Sequence, residues 1–182
     1  TIRALAESDP AFLESLLGKS GRVLWEYANG FDESPVARFS DREPVKSIGN
    51  GTTFRKDLLT RDDILTAVTA LSDTVAARLR SSALKACGVK VDIKSPDLKT
   101  ISRQKQLPCP THLASELVTA AMEIITTAWR IGQPIRLLTV TAIGLCEETA
   151  EEQLNFLAGD AEARERAERM EQAMDAVRKK YG

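Results

Sequence analysis

VKSIGNGTTF (residues 45–54) joins a short apolar-alternating run to a lysine, two glycines, an asparagine and three small hydroxyls. A strand that runs into backbone-exposing glycines and hydroxyls, with Arg55 and Lys56 just beyond, suits the gripping of a phosphate chain. The stretch offers no base, no nucleophile and no set of metal ligands. It reads as a holder of something anionic, not as a catalyst.

The residues that follow place this strand in a sheet. Thr60-Arg-Asp-Asp63 fits a capping box, and Ile64, Val68, Leu71, Val75 and Leu79 then mark one helical face to about residue 86. Gly88 breaks the pattern. Val89, Val91 and Ile93 alternate with Lys90, Asp92 and Lys94, the period of a half-buried strand. Ser95-Pro-Asp97 is a turn signal, and LKTISRQKQL (98–107) forms the next strand. After Pro108 and Pro110 a second helix is predicted over about 111–130, with Leu113, Leu117, Ala121, Ile124 and Ala128 inward. Gly132 and Pro134 stop it, and IRLLTVTAIGL (135–145) is the last strand. The order β-α-β-β-α-β predicts an α+β fold: a four-stranded antiparallel sheet, two helices on one face, the other face open.

The flanks read differently. Before residue 44 come short helices: Thr1 caps IRALAE, Asp9 precedes Pro10 at a first helical position, Gly18 closes that helix, and Ser20 is placed to cap the next. FDESPVARFSDREP (31–44) reads as a connector bracketed by prolines. After residue 147 an acidic stretch passes through QLNFL (153–157) into a terminal helix. There Ala163, Ala167, Met170, Met174, Val177 and Tyr181 form a short heptad seam, expected to pack weakly on its own domain. The expected domains are 1–43, 44–147 and 148–182.

The net charge of −1 conceals a partition. Residues 1–43 carry 5 Lys/Arg against 8 Asp/Glu, residues 44–147 carry 14 against 9, and residues 148–182 carry 6 against 9. The middle block is therefore the one that attracts polyanions. No apolar run approaches the length of a membrane helix, and a cytoplasmic location is expected. Cys87, Cys109 and Cys146 are widely spaced and read as reduced thiols, and the single histidine, His112, excludes a Cys/His zinc site. His112 sits at a helix start, where a capping or surface role is expected.

Catalysis has no candidate residues. Asp62 and Asp63 fall in a first helical turn, where they complement the helix dipole, and Glu147, Glu148, Glu151 and Glu152 lie in a polar linker. Phosphate binding collects better. Lys46, Ser47, Thr52, Thr53 and Arg55 lie on or just after the first strand; Lys99, Thr100, Ser102, Arg103 and Lys105 on the third; Arg136, Thr139 and Thr141 on the fourth. The predicted sheet has almost no aromatics, so base stacking of the RNA-recognition kind is disfavoured. Strict alternation puts Ile101, Arg103 and Lys105 on one face, which requires a bulge or twist if Ile101 is core and both cations bind.

VKSIGNGTTF, LKTISRQKQLP and IRLLTVTAIGL, in this order, resemble the recurring strand motifs of the little-finger domain of Y-family (translesion) DNA polymerases, especially bacterial polymerase IV-like members. LLGKSGRVLWEYANGFDESPV resembles the end of the thumb domain of that family, and QLNFL resembles its sliding-clamp-binding pentapeptide. The resemblance implies DNA-backbone contacts at Lys46, Ser47, Thr100, Ser102, Arg103 and Arg136, to which the strand reading adds Thr53, Arg55 and Lys105. It also implies that Gln153, Leu154, Phe156 and Leu157 enter a clamp pocket. Phe156-Leu157 reverses the commoner Leu-Phe order, and Leu137 and Thr141 stand where relatives often carry basic residues. The family's palm and fingers, which would hold the catalytic carboxylates and magnesium, have no counterpart in this sequence. The expected chain is therefore non-catalytic and cofactor-free, a C-terminal piece of a polymerase whose partners are duplex template-primer DNA, a sliding clamp and the palm and fingers. Two other readings stay open: a protein-interaction module whose sheet docks polymerase domains, and a ferredoxin-like RNA-binding domain.

Overall fold

The computed structural model describes residues 1–36, 38, 44–147 and 161–181. The chain divides into two compact units, Thr1–Pro44 and Val45–Gly182. In the first, α1 (Ile2–Ala6), α2 (Pro10–Leu17) and α3 (Lys19–Ala28) follow one another closely. Thr1 and Asp9 cap the first two helices, accepting from the Ala4 and Ala11 amides. α3 begins two residues earlier than expected: Gly18, at φ 61°, is both the end of α2 and the N-cap of α3, and Ser20 caps nothing. The two helices cross at Gly21, where a Cβ would stand 2.1 Å from the Leu13 carbonyl oxygen, so only glycine permits this approach.

The second unit is built on β1 (Ser47–Leu58), α4 (Arg61–Ser81), β2 (Leu84–Lys94), β3 (Thr100–Thr111), α5 (Ala114–Ala128), β4 (Ile135–Glu147) and α6 (Ala161–Tyr181). The strands form one antiparallel sheet in the order β1-β4-β2-β3. β2 and β4 are central, and β1 and β3 are edges. α4 and α5 cover one face: Ile64, Val68, Leu71, Val75 and Leu79 of α4 and Leu117, Ala121, Ile124 and Ile125 of α5 bury against Val89, Val91 and Ile93 of β2 and Leu138, Val140 and Ala142 of β4. The expected capping box is present, with the Asp63 amide donating to Thr60 Oγ1 at 3.1 Å and the Thr60 amide to Asp63 Oδ2 at 3.3 Å.

Three boundaries differ from expectation. α4 ends at Ser81 and β2 starts at Leu84, because Ala83 turns the chain with φ 52° well before Gly88. β3 runs through both prolines to Thr111, which an edge strand tolerates because its outer amides need no ladder partner. Thr111 Oγ1 accepts from the Leu113 amide, α5 starts at Ala114, and His112 between them is buried, with Nε2 3.8 Å from Glu168 Oε1 of α6. Among the described residues no helix is long and apolar enough to cross a membrane.

α6 packs with the charged stripe next to its heptad seam, of which only Ala167 is half-buried. Met170, Met174, Val177 and Tyr181 are exposed, while Arg164, Glu168, Glu171 and Asp175 turn toward the helix layer. Arg164 donates to the Pro110 carbonyl at 2.7 Å and pairs with Glu116; Arg178 pairs with Asp73 at 2.8 Å. At the centre Arg80 of α4 meets both Glu171 and Asp175. Burial pushes the Glu171 carboxyl above its ordinary 4.5, against the pull of Arg80 and the Ala114 amide. Just above that ordinary value the folded chain therefore keeps a proton that the unfolded chain has released, and stability falls as pH rises through the window. Urea midpoints of the chain and its Glu171→Gln variant should diverge with this sign from pH 4.5 upward, until the folded-state carboxyl is fully ionised; parallel profiles would remove Glu171 as the cause.

Candidate nucleic-acid interface

The strand register orders the open face into rows. Residues paired across neighbouring strands share a face. Thr53, Leu137, Lys94 and Thr100 form one row; Gly51, Thr139, Asp92 and Ser102 the next; Gly49, Thr141, Lys90 and Gln104 the third. Ser47, Ile143, Gly88 and Gln106 complete it. The intervening rows, such as Thr52, Leu138, Ile93 and Ile101, face the helices.

Glycine shapes this surface along β1. A Cβ at Gly51 would lie 2.3 Å from Thr139 Oγ1, and one at Gly49 would lie 2.7 Å from Thr141 Oγ1. Each threonine hydroxyl thus occupies the place of the missing side chain, leaving a shallow track of hydroxyls and exposed backbone beside the Lys90 and Lys94 ammonium groups. Lys90 is 3.4 Å from Asp92, so one carboxylate tempers a predominantly cationic and hydroxylic face. Phe54 packs against the core, which sets Thr53 and Arg55 on the open side.

Five of the residues singled out from sequence, Ser47, Thr53, Arg55, Thr100 and Ser102, therefore share the open face, and Lys46 immediately precedes β1. Arg103 and Lys105 do not join them. β2 and β3 keep regular register from Gly88–Gln106 to Lys94–Thr100, so no bulge turns them outward. Arg103 pairs with Val91 and Lys105 with Val89 on the helix side, and Lys105 is bonded to Glu123 of α5. Arg136 lies within the register shift between Thr53 and Leu58, its Nε 2.9 Å from Asp57 Oδ1. Gln153, Leu154, Phe156 and Leu157 lie outside the described residues. Lys90 and Lys94 were not singled out as binders, although the alternation of Val89, Val91 and Ile93 already fixes their phase. Among the described residues no three Asp, Glu, His or Cys side chains gather around a metal-sized position.

A family model described as the impB/mucB/samB family C-terminal domain matches residues 45–156, which take in β1 to β4, α4 and α5. DNA polymerase IV of Acetivibrio thermocellus is 37% identical over 182 residues, 100% of this chain and 45% of that protein. DNA polymerase IV of Clostridium acetobutylicum is 32% identical, with 100% and 44% covered, and DNA polymerase IV 1 of Bacillus subtilis is 31% identical, with 100% and 43% covered. The chain spans less than half the length of these relatives. The sheet, its two covering helices and the match across them make this chain a member of the impB/mucB/samB family, carrying the C-terminal domain of DNA polymerase IV-like Y-family proteins.

Proposed function

We propose that this chain holds duplex template-primer DNA by its phosphates on behalf of a translesion polymerase, and that Gln153, Leu154, Phe156 and Leu157 tether that polymerase to a sliding clamp. The observation that carries the reading is the open face, where Lys90, Lys94 and Arg55 stand among the hydroxyls of Ser47, Thr53, Thr100, Ser102, Thr139 and Thr141. Hydroxyls and exposed amides supply hydrogen bonds to phosphate oxygens, and the cations supply long-range attraction. Strands about 4.8 Å apart make a four-stranded face about 14 Å across. That width matches a major groove of about 12 Å, so the sheet can follow the groove and touch the phosphates along it. A face without aromatic rings reads backbone and not bases, which suits a polymerase working on damaged template. Nucleotide transfer and its magnesium belong to the palm and fingers in this reading.

The test is titration of labelled duplexes with the full chain between about 50 and 200 mM salt. With Lys46, Arg55, Lys90 and Lys94 each neutralising a phosphate, log affinity should fall with log salt at a slope of about −3 to −4, alike for unrelated sequences. A flat salt dependence, or strong preference for one sequence, overturns the phosphate reading. Replacing Leu154 and Phe156 by alanine should abolish binding to a purified clamp and leave duplex affinity unchanged; retained clamp binding overturns the tether.

A further inference from the structure

Two of the three cysteines come together although 59 residues separate them: Cys87 Sγ of β2 lies 3.8 Å from Cys146 Sγ of β4. The fold produces this approach by two local departures from regular pairing. β2 shifts register between Ala86 and Gly88, with Cys87 at the step, and β4 carries Gly144 at φ 61° across from it. A Cβ at Gly144 would meet Cys87 Cβ at 3.4 Å, so its absence leaves Cys87 room to lean toward Cys146, the diagonal neighbour paired with Lys85. Ala86 and Leu145 pack with the core, which places both thiols on the opposite side, at the end of the open face near Ile143. Both thiols are free and half-buried, so a small oxidant reaches them.

We propose that Cys87 and Cys146 form an oxidation site that closes a reversible disulfide on meeting hydrogen peroxide. One thiol attacks the peroxide oxygen and becomes a sulfenic acid, releasing a first molecule of water. The second sulfur then attacks the sulfenic sulfur, the S–S bond forms and the sulfenic hydroxyl leaves as a second water. Two thiols are oxidised by two electrons and one peroxide is reduced, which balances the step. A disulfide needs the sulfurs at about 2.05 Å, a closure that side-chain rotation from 3.8 Å begins. Burial and the neighbouring Cys146 sulfur push the Cys87 thiol up, so closure is expected to quicken as pH rises and thiolate accumulates. The link would staple the two central strands at one end of the open face, and a dithiol reductant would release it.

The experiment treats the full chain with hydrogen peroxide and reads intact mass, free thiols and peptide maps. The expected result is a loss of about 2 Da, a fall from three titratable thiols to one, and a linked peptide pair containing Cys87 and Cys146. Dithiothreitol should reverse all three changes, and the thermal midpoint should be higher in the oxidised form. Cys109→Ser should keep the 2 Da loss, whereas Cys87→Ser and Cys146→Ser should each abolish it. Accumulation of sulfinic acid on either residue without the linked peptide overturns the proposal, as does oxidation that yields only intermolecular dimers. The peptide map of the unsubstituted chain decides the matter even if a serine variant folds poorly.

Discussion

Replacing Arg80 with alanine is expected to cost the second unit about 3–5 kcal/mol and to free α6 from the helix layer. The Arg80 side chain is 7% exposed and works in three directions at once. Its Nε donates to Asp175 Oδ2 at 2.6 Å, and its Nη1 donates to the His112 carbonyl at 3.0 Å and to Glu171. Burial pulls the guanidinium down, but Asp175 and Glu171 outweigh it and hold its pKa above the ordinary value. The charge therefore stays in place at every pH at which the chain is folded. Removing it leaves two carboxylates, 12% and 27% exposed, facing each other and a bare carbonyl. Glu171 is doubly committed, because its oxygens also accept from the Ala114 amide at 3.0 and 3.2 Å. α5 has Leu113 at its N-cap and no side-chain cap of its own, so a carboxylate from a helix 57 residues later does that work. Loss of Arg80 is thus expected to loosen α6 and fray the first turn of α5 together. Urea unfolding gives the energy, and hydrogen exchange gives the place: faster exchange in α6 and at the start of α5, with the central strands still protected. Unchanged exchange in α6 would mean that its other ion pairs hold it without Arg80. Replacing Arg80, Glu171 and Asp175 together by apolar residues should recover part of the loss, because no unpaired charge is then left behind, although the Ala114 amide and the His112 carbonyl lose these partners.

How far the sequence could be read depended on the range of the interaction. Short-range signals carried the sheet. Val89, Val91 and Ile93 against Lys90, Asp92 and Lys94 set β2 and its faces, and the Thr60–Asp63 box set the start of α4. The same alternation gave the phase of Ile101, Arg103 and Lys105, and the regular β2–β3 register keeps that phase on the helix side. The rest depends on partners far apart in sequence. The strand order β1-β4-β2-β3 arises from pairings such as Gly51 with Thr139, and no local pattern encodes them. Nor does any local pattern join Arg80 to residues 91 and 95 positions away. α6 shows the consequence most plainly: its apolar seam and its charged face share the same spacing of four and three, yet the chain packs the charged face, because an arginine and an uncapped helix end wait for it.

Reversing the charge of Lys90 and Lys94 together, by Lys90→Glu and Lys94→Glu, is expected to weaken duplex binding on the order of a hundredfold near physiological salt, about tenfold per lost contact. The salt slope should shrink by about 2, because each lysine that leaves a phosphate removes about one unit. Both side chains stand on the open face of a central strand, Lys90 between Thr141 and Gln104, Lys94 between Leu137 and Thr100. Any duplex lying along this face passes over them, whatever the sequence of its bases, so the loss should be equal for unrelated duplexes. The matching pair on the other face, Arg103→Glu and Lys105→Glu, is expected to weaken binding much less. Those residues share the helix side with Val91 and Val89, and Lys105 already spends its charge on Glu123. The open-face variant leaves the helix-facing rows untouched, whereas Lys105→Glu in the other sets a second carboxylate against Glu123, so urea midpoints are taken first and affinities are compared on folded protein. The opposite ranking would move the duplex from the open face to the edge of β3, beside the groove lined by Arg103, Lys105, Glu123 and Thr127. In that case the long edge side chains, and not the hydroxyl track along β1, would be the grip on the phosphates.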